Sequence, residues 1–140
     1  MFHWVSLFSL FLTTFSLPPS PPKASLKVDV HNVQTLTGAV YIALFKPGKE
    51  FPDGKPIEGK KLNATSHSVQ TTFSIDPGEY AVAVFHDENG NGKMDKRIFG
   101  IPKEPYGFSN NFRPKMSAPK FSDCQFTLGE GGKSINITVK

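Results

Sequence analysis

Between Asp87 and Asp95 the chain reads DENGNGKMD, which sets oxygen-bearing side chains at Asp87, Asn89, Asn91 and Asp95 with Gly92 among them. Calcium takes about six to eight oxygen ligands at about 2.3–2.6 Å, and side chains two apart converge on one ion when the backbone curls around it. Gly92 permits that curl, because a glycine enters the left-handed region without a Cβ penalty. Lys93 would add its backbone carbonyl while its ammonium points to solvent. The same residues also make a tight Asn/Gly turn closed by side-chain-to-backbone hydrogen bonds, so a metal loop and a plain turn both fit the string.

The spacing D-x-N-x-N-G-x-x-D reproduces the first nine positions of an EF-hand-type loop. It then departs: the twelfth position holds Ile98 in place of a bidentate Glu, and Phe85 and His86 close a strand-like run where a helix would stand. The expectation is a strand-linked calcium loop completed by water or by a distant acid such as Glu104 or Glu50. With two carboxylates inside the loop, its affinity should be weak, about 10⁻⁴–10⁻³ M.

A second stretch, Gly100 to Phe112, alternates Tyr106, Phe108 and Phe112 with Glu104, Asn110 and Asn111. Aromatics beside amides on a long loop can recognise a glycan or a peptide, and Glu104, Tyr106, Phe108, Asn110 and Asn111 are the candidate ligand-binding set. The competing reading folds this loop over a sheet edge, with its aromatics as a lid and its Asn residues as caps. Other chemistries lack residues. His31, His67 and His86 show no zinc spacing, and there is no nucleophile elbow, phosphate loop or CxxC pair. The single Cys124 excludes an intrachain disulfide and reads as a small buried hydrophobe on a strand.

The elements that must position these residues are short and β-like. SLKVDVHNV alternates Leu26, Val28 and Val30 with Lys27, Asp29 and His31. AVYIALFK and EYAVAVFHD are apolar on both faces, as suits the middle of a covered sheet. HSVQTTFSI is a further strand, and DPGE is a turn. KFSDCQFTL and SINITVK, joined by GEGGK, read as a C-terminal hairpin. The connections 47–61 and 100–120 read as long loops. No window carries a capped helical period. Seven or so strands in residues 23–140 predict one all-β domain, an antiparallel Greek-key-type β-sandwich.

The composition agrees with a single turn-rich domain: 140 residues, 13 Phe for core volume, and 12 Pro and 12 Gly without periodicity. The net charge is +4, but Lys and Glu interleave over residues 46–61, the pattern of a solvated surface, so no nucleic-acid partner is expected. Phe2 to Leu17 carries no Asp, Glu, Lys or Arg and is followed by PPSPP. It falls short of the roughly 20 residues that span a bilayer and fits a secretory signal, so residues 1–22 are expected to be signal peptide and Pro-rich spacer. The expected destination is the periplasm, the cell surface or the medium, without a membrane-spanning segment.

Read together, PGEYAVAVFHDENGNGKMD, FGIPKEPYGFSNN and PKFSDCQFTL resemble a secreted bacterial family of unknown function over about Ser25 to Lys140. That resemblance implies a transthyretin-like (prealbumin-like) sandwich and export, and names no reaction. PGEYAVAV is also similar to carboxypeptidase regulatory-like and surface-protein B-type modules. Some of these carry calcium loops, which by resemblance makes Asp87, Asn89, Asn91 and Asp95 the ligands. Cys124 departs from the family, where a small residue such as Ala is expected. The hydroxyisourate hydrolase on a transthyretin fold is marked by a C-terminal Tyr-Arg-Gly-Ser and by inner-strand His and Arg. This chain reads NITVK there, and its Arg97 and Arg113 lie in or beside loops. The expected function is therefore a non-enzymatic exported module, calcium-stabilised, with a glycan- or peptide-binding accessory domain as the alternative and a hydrolase behind it. An extracellular glycan or protein is the expected kind of partner.

Overall fold

Alternating burial along the strands builds two sheets that share one core. The structure is a computed structural model and describes residues 15–140. Its strands are β1 (Ala24–His31), β2 (Ala39–Phe45), β3 (Glu58–Asn63), β4 (Ser68–Ile75), β5 (Gly78–Asp87), β6 (Tyr106–Phe108), β7 (Phe126–Leu128) and β8 (Lys133–Thr138). A single helical turn, α1, spans Phe121–Cys124. One sheet has the order β4-β1-β8; the other runs β3-β2-β5, with β6 and β7 sharing the far edge of β5. The chain is thus an all-β sandwich.

The inner faces meet where the alternation places them. Leu26, Val28 and Val30 from β1 interlock with Val40, Ile42 and Leu44 from β2, Val82 and Val84 from β5, Phe73 and Ile137, all buried. The outward side chains of β2 and β5 are partly covered as well. Phe45, Ala81 and Phe108 join Phe51, Phe121 and Cys124 in a second cluster behind the larger sheet. Phe51 is its hub, meeting Phe45, Phe108 and Phe121 edge-on with ring centroids 5.1, 5.9 and 5.9 Å away. Each such ring removed from water contributes roughly 1.5–3 kcal/mol. This layer explains why β2 and β5 are apolar on both faces.

Three features differ from expectation. Residues 126–140 are not a hairpin: β7 pairs with β5 in one sheet and β8 pairs parallel with β1 in the other, so GEGGK crosses between sheets. The inward apolar positions of the two segments are needed by different partners, which a hairpin would not satisfy. Cys124 sits in α1 rather than on a strand, because Asp123 accepts the Lys120 N–H at 2.8 Å and caps a turn there. It is fully buried all the same. The two long connections hold strands of their own, β3 and β6. β3 is a sheet edge with the polar sequence EGKKLN, and a lysine-rich edge strand resists pairing with another chain.

Among the described residues no helix is long and apolar enough to cross a membrane. The expected signal segment lies mostly outside the described residues, and residues 15–23 are exposed. Every described strand, and both apolar clusters, fall between Ala24 and Val139.

Candidate functional site

The last residue of β5 is Asp87, only 1% exposed, and the chain leaves the sheet from there into the acidic loop. Its carboxylate organises the curl, accepting the Asn91 N–H on Oδ1 at 3.2 Å and the Gly92 N–H on Oδ2 at 2.7 Å. Gly92 has φ +76°, which is the reason for glycine at this position. The amides brace the same turn: Asn89 Oδ1 accepts the Asn91 N–H at 3.1 Å and Asn91 Oδ1 accepts the Lys93 N–H at 2.9 Å. Their Nδ2 groups point across the loop to Asp95, at 2.6 Å from Asn89 and 3.0 Å from Asn91. These donations hold the Asp95 carboxyl below its ordinary range, the Asn89 bond most, then Asn91, with Lys103 and Lys93 adding. Asp95 thus accepts from both amides, Asp87 holds the backbone of the turn, and the amide oxygens of Asn89 and Asn91 are engaged by backbone N–H groups.

A neighbouring loop fixes the strand end from behind. Gly38, at φ +69°, lies so close that a Cβ there would come within 1.8 Å of the Asp87 carbonyl oxygen. Thr35 Oγ1 donates to Glu88 Oε1 at 2.9 Å, and buried His86 donates from Nε2 to the Thr37 carbonyl at 2.8 Å. His86 thus serves as a strut of the core wall. Its other ring nitrogen stands 3.9 Å from Glu88 Oε1.

The structure brings one distant acid to the loop. Glu104 is 6% exposed and its Oε2 accepts the Asp95 N–H at 3.2 Å. Its Oε1 is buried with no hydrogen-bond partner. Burial raises the Glu104 pKa, and the negative charges of Asp87 and Asp95 beside it raise it further against the Asp95 N–H. An ionised carboxylate with an unpartnered buried oxygen costs about 1–3 kcal/mol or more, and here either a proton shared with the Asp87 carboxylate or a cation would meet that requirement. Glu50, the other acid considered, is exposed in the turn closed by the Gly54 N–H at 2.6 Å. Among the described residues, no three His, Cys, Asp or Glu side chains gather tightly enough to hold a metal on their own. A cation here would draw on amide and backbone oxygens too, as the Asn-rich spacing provides.

The remaining candidates build the sheet edge. Tyr106 and Phe108 lie on β6, and Phe108 is buried against Phe51. Asn110 donates to the Gln125 carbonyl at 2.9 Å, while Asn111 donates to the Asn136 carbonyl at 3.2 Å and accepts the Thr138 N–H at 2.9 Å. Both have positive φ, 61° and 50°, a conformation that asparagine tolerates. Arg113 clamps β6 to β8, donating to the Tyr106 and Thr138 carbonyls at 2.9 and 2.8 Å. This is the geometry of a segment folded over the sheet edge, and it engages the Nδ2 groups of both Asn residues and the Oδ1 of Asn111.

One element was not read as a site from the sequence. Residues 95–103 form a narrow finger whose two sides are tied by Lys103 N–H to Asp95 O at 2.7 Å, the Lys96–Pro102 bridge, and Arg97 N–H to Ile101 O at 2.6 Å. Its base is the acidic loop itself, flanked by Asp95 and Glu104. The readable signal was KRIFGIPK, three large apolar residues between basic ones with no alternation to bury them.

The fold and this loop define a class: a β-sandwich module with an oxygen-rich loop at the end of a central strand. Residues 28–136 match the profile of a family described as uncharacterized protein conserved in bacteria (DUF2141), and the chain belongs to that family. No curated protein and no solved structure matches the chain significantly.

Proposed function

We propose that this protein is an exported, non-catalytic β-sandwich module whose Asp87–Asp95 loop is stiffened by calcium. The observation that carries the reading is the buried, partnerless Oε1 of Glu104 beside Asp87 and Asp95. The ligands would be the carboxylates of Asp87, Asp95 and Glu104, the side-chain oxygens of Asn89 and Asn91, and the carbonyl of Lys93. The Nδ2 groups of both Asn residues now offer their hydrogens to Asp95, the role a cation would take over, and binding asks the amides to turn their oxygens inward. The ion would neutralise three neighbouring carboxylates and fix the base of the 95–103 finger. Export is supported by the uncharged apolar run Phe2–Leu17 and the Pro-rich spacer after it.

The test is thermal unfolding of residues 23–140 in EDTA and in 1 mM calcium, with Asp87→Ala beside wild type. A site with Kd of about 0.1 mM adds about 1.4 kcal/mol at that concentration. That corresponds to a rise in Tm of roughly 6 °C for a domain near this size. Asp87→Ala should abolish the rise. A wild-type Tm that stays put from EDTA to several millimolar calcium would refute the reading.

A further inference from the structure

Large apolar side chains left in water need a reason when they cluster. Among the described residues, four of the eight exposed large hydrophobics stand at one place: Ile98, Phe99 and Ile101 on the finger and Met116 across from it. Phe99 is 96% exposed and Met116 97%. They are not spread along the chain like ordinary surface residues; Phe99, Ile101 and Met116 share the rim of a single cleft of about 580 Å³, whose floor includes Ala43, Ala83 and Phe85.

The backbone presents Phe99 rather than merely failing to bury it. Phe99 has φ 66° and Gly100 φ 73°, two consecutive left-handed residues at the apex, the first of them bulky and aromatic. An aromatic residue in that region is an outlier held by its surroundings. Here the surroundings are the Lys96–Pro102 bridge and the Arg97–Ile101 hydrogen bond below the apex. The ring is therefore carried on a narrow, cross-tied support.

Charge says what the apex meets. Lys96 and Arg97 flank the apolar tip in sequence, Lys115 lines the cleft with Lys96, and Lys103 stands at the base of the finger; all four are exposed. Two acids face them: Asp53, itself exposed, 3.9 Å from Lys96 Nζ, and Asp95, whose charge Lys103 favours at the base of the finger. Apolar side chains at a tip with a collar of cations match the boundary of an anionic bilayer, where rings enter the headgroup region and Lys and Arg meet lipid phosphates.

We infer that the 95–103 finger docks on an anionic lipid surface, inserting Ile98 and Phe99 and using Arg97 and its basic neighbours on the headgroups. This goes beyond the calcium reading and does not rest on it. The short tip enters only the interface, so association is reversible and weak, the product of a few apolar residues and a few charges.

The experiment is co-sedimentation of residues 23–140 with vesicles of phosphatidylcholine containing phosphatidylglycerol, run in EDTA so that calcium cannot bridge protein to phosphate. Wild type should sediment with these vesicles and stay in solution with pure phosphatidylcholine. Phe99→Asn, which suits the left-handed backbone and touches no core residue, should weaken the partition coefficient about ten-fold or more. Arg97→Gln should weaken it about five-fold. Unchanged thermal unfolding of both variants will show that the fold is intact. The inference is overturned if wild type ignores anionic vesicles or binds neutral ones equally. It is also overturned if Phe99→Asn binds within five-fold of wild type; the apex would then serve another surface, such as that of a protein.

Discussion

Glu104→Gln is the most informative single change, because the proposed site makes its effect reverse sign with the metal. In the metal-free protein Glu104 is buried beside Asp87 and Asp95, and one oxygen has no partner. The burial and the two negative neighbours raise its pKa, so its charged form is disfavoured in the fold. The sign follows. A carboxyl whose pKa is higher folded than unfolded contributes stability that is present below the unfolded pKa and is lost as pH rises through the folded one. Glutamine keeps the shape, removes the charge and offers hydrogens that Asp87 and Asp95 can accept. Relieving an unmet buried group should return about 1 kcal/mol or more. That is a rise in Tm of about 4 °C in EDTA. With 1 mM calcium the order inverts: wild type gains its roughly 6 °C from about 1.4 kcal/mol of binding, while the variant, short of one anionic ligand, gains little. Differential scanning fluorimetry at pH 7 in the two buffers reads all four values. A variant less stable than wild type in EDTA would show that Glu104 is already well satisfied, and the argument for an ion would lose its basis. A variant that gains as much from calcium as wild type would remove Glu104 from the ligand set.

Three further outcomes are expected. Burial, with Asp123 nearby, pushes the Cys124 thiol from 9.0 up to about 12, so thiol reagents at pH 8 should label it only after denaturation, on the timescale of unfolding. Its neutral form contributes stability that is complete below the unfolded pKa and is lost as pH rises from about 9 toward 12, which alkaline unfolding of Cys124→Ala beside wild type will display. Glu79 is pulled below its ordinary value of 4.5 by the Thr127 hydroxyl and then the Gln125 amide. Its contribution is therefore present above about pH 4.5 and falls away in more acid solution, and Glu79→Gln should flatten that part of the stability–pH curve by lowering the neutral plateau toward the acid level.

What could be read in the chain followed the physics of burial. β1, β2, β4 and β5 declare themselves because each alternates, or is apolar throughout, over seven or more residues. β3 and β6 do not, since EGKKLN is a polar edge and YGF is too short to show a period. The apolar pattern of the last two strands was legible but their partners were not. A period of two says which side chains face inward and nothing about which neighbour supplies the hydrogen bonds. The acidic loop was fully visible as a string, and Glu104 was visible only as an acid within reach. Its burial depends on the finger doubling back, a long-range result of Asp95 and Lys103 pairing. The finger itself was hidden because its apolar residues neither alternate nor enter a core, so a search for periodicity passes over them.

The parallel pairing of β1 with β8 has a consequence for how the protein comes to exist. The first strand is the middle of its sheet: β4 can lie along one side early, but the other side stays open until residues near 139 arrive, where the Val139 N–H reaches the His31 carbonyl. Closing that loop carries an entropic cost before any contact repays it, and non-local pairings of this kind slow folding. A nascent chain is thus held open for nearly its whole synthesis, with an unfinished sheet edge and the inner core half lined. The smaller sheet is complete only once the C-terminal strand has paired. Until that strand arrives, the open edge of β1 is the place where another chain could pair in its stead.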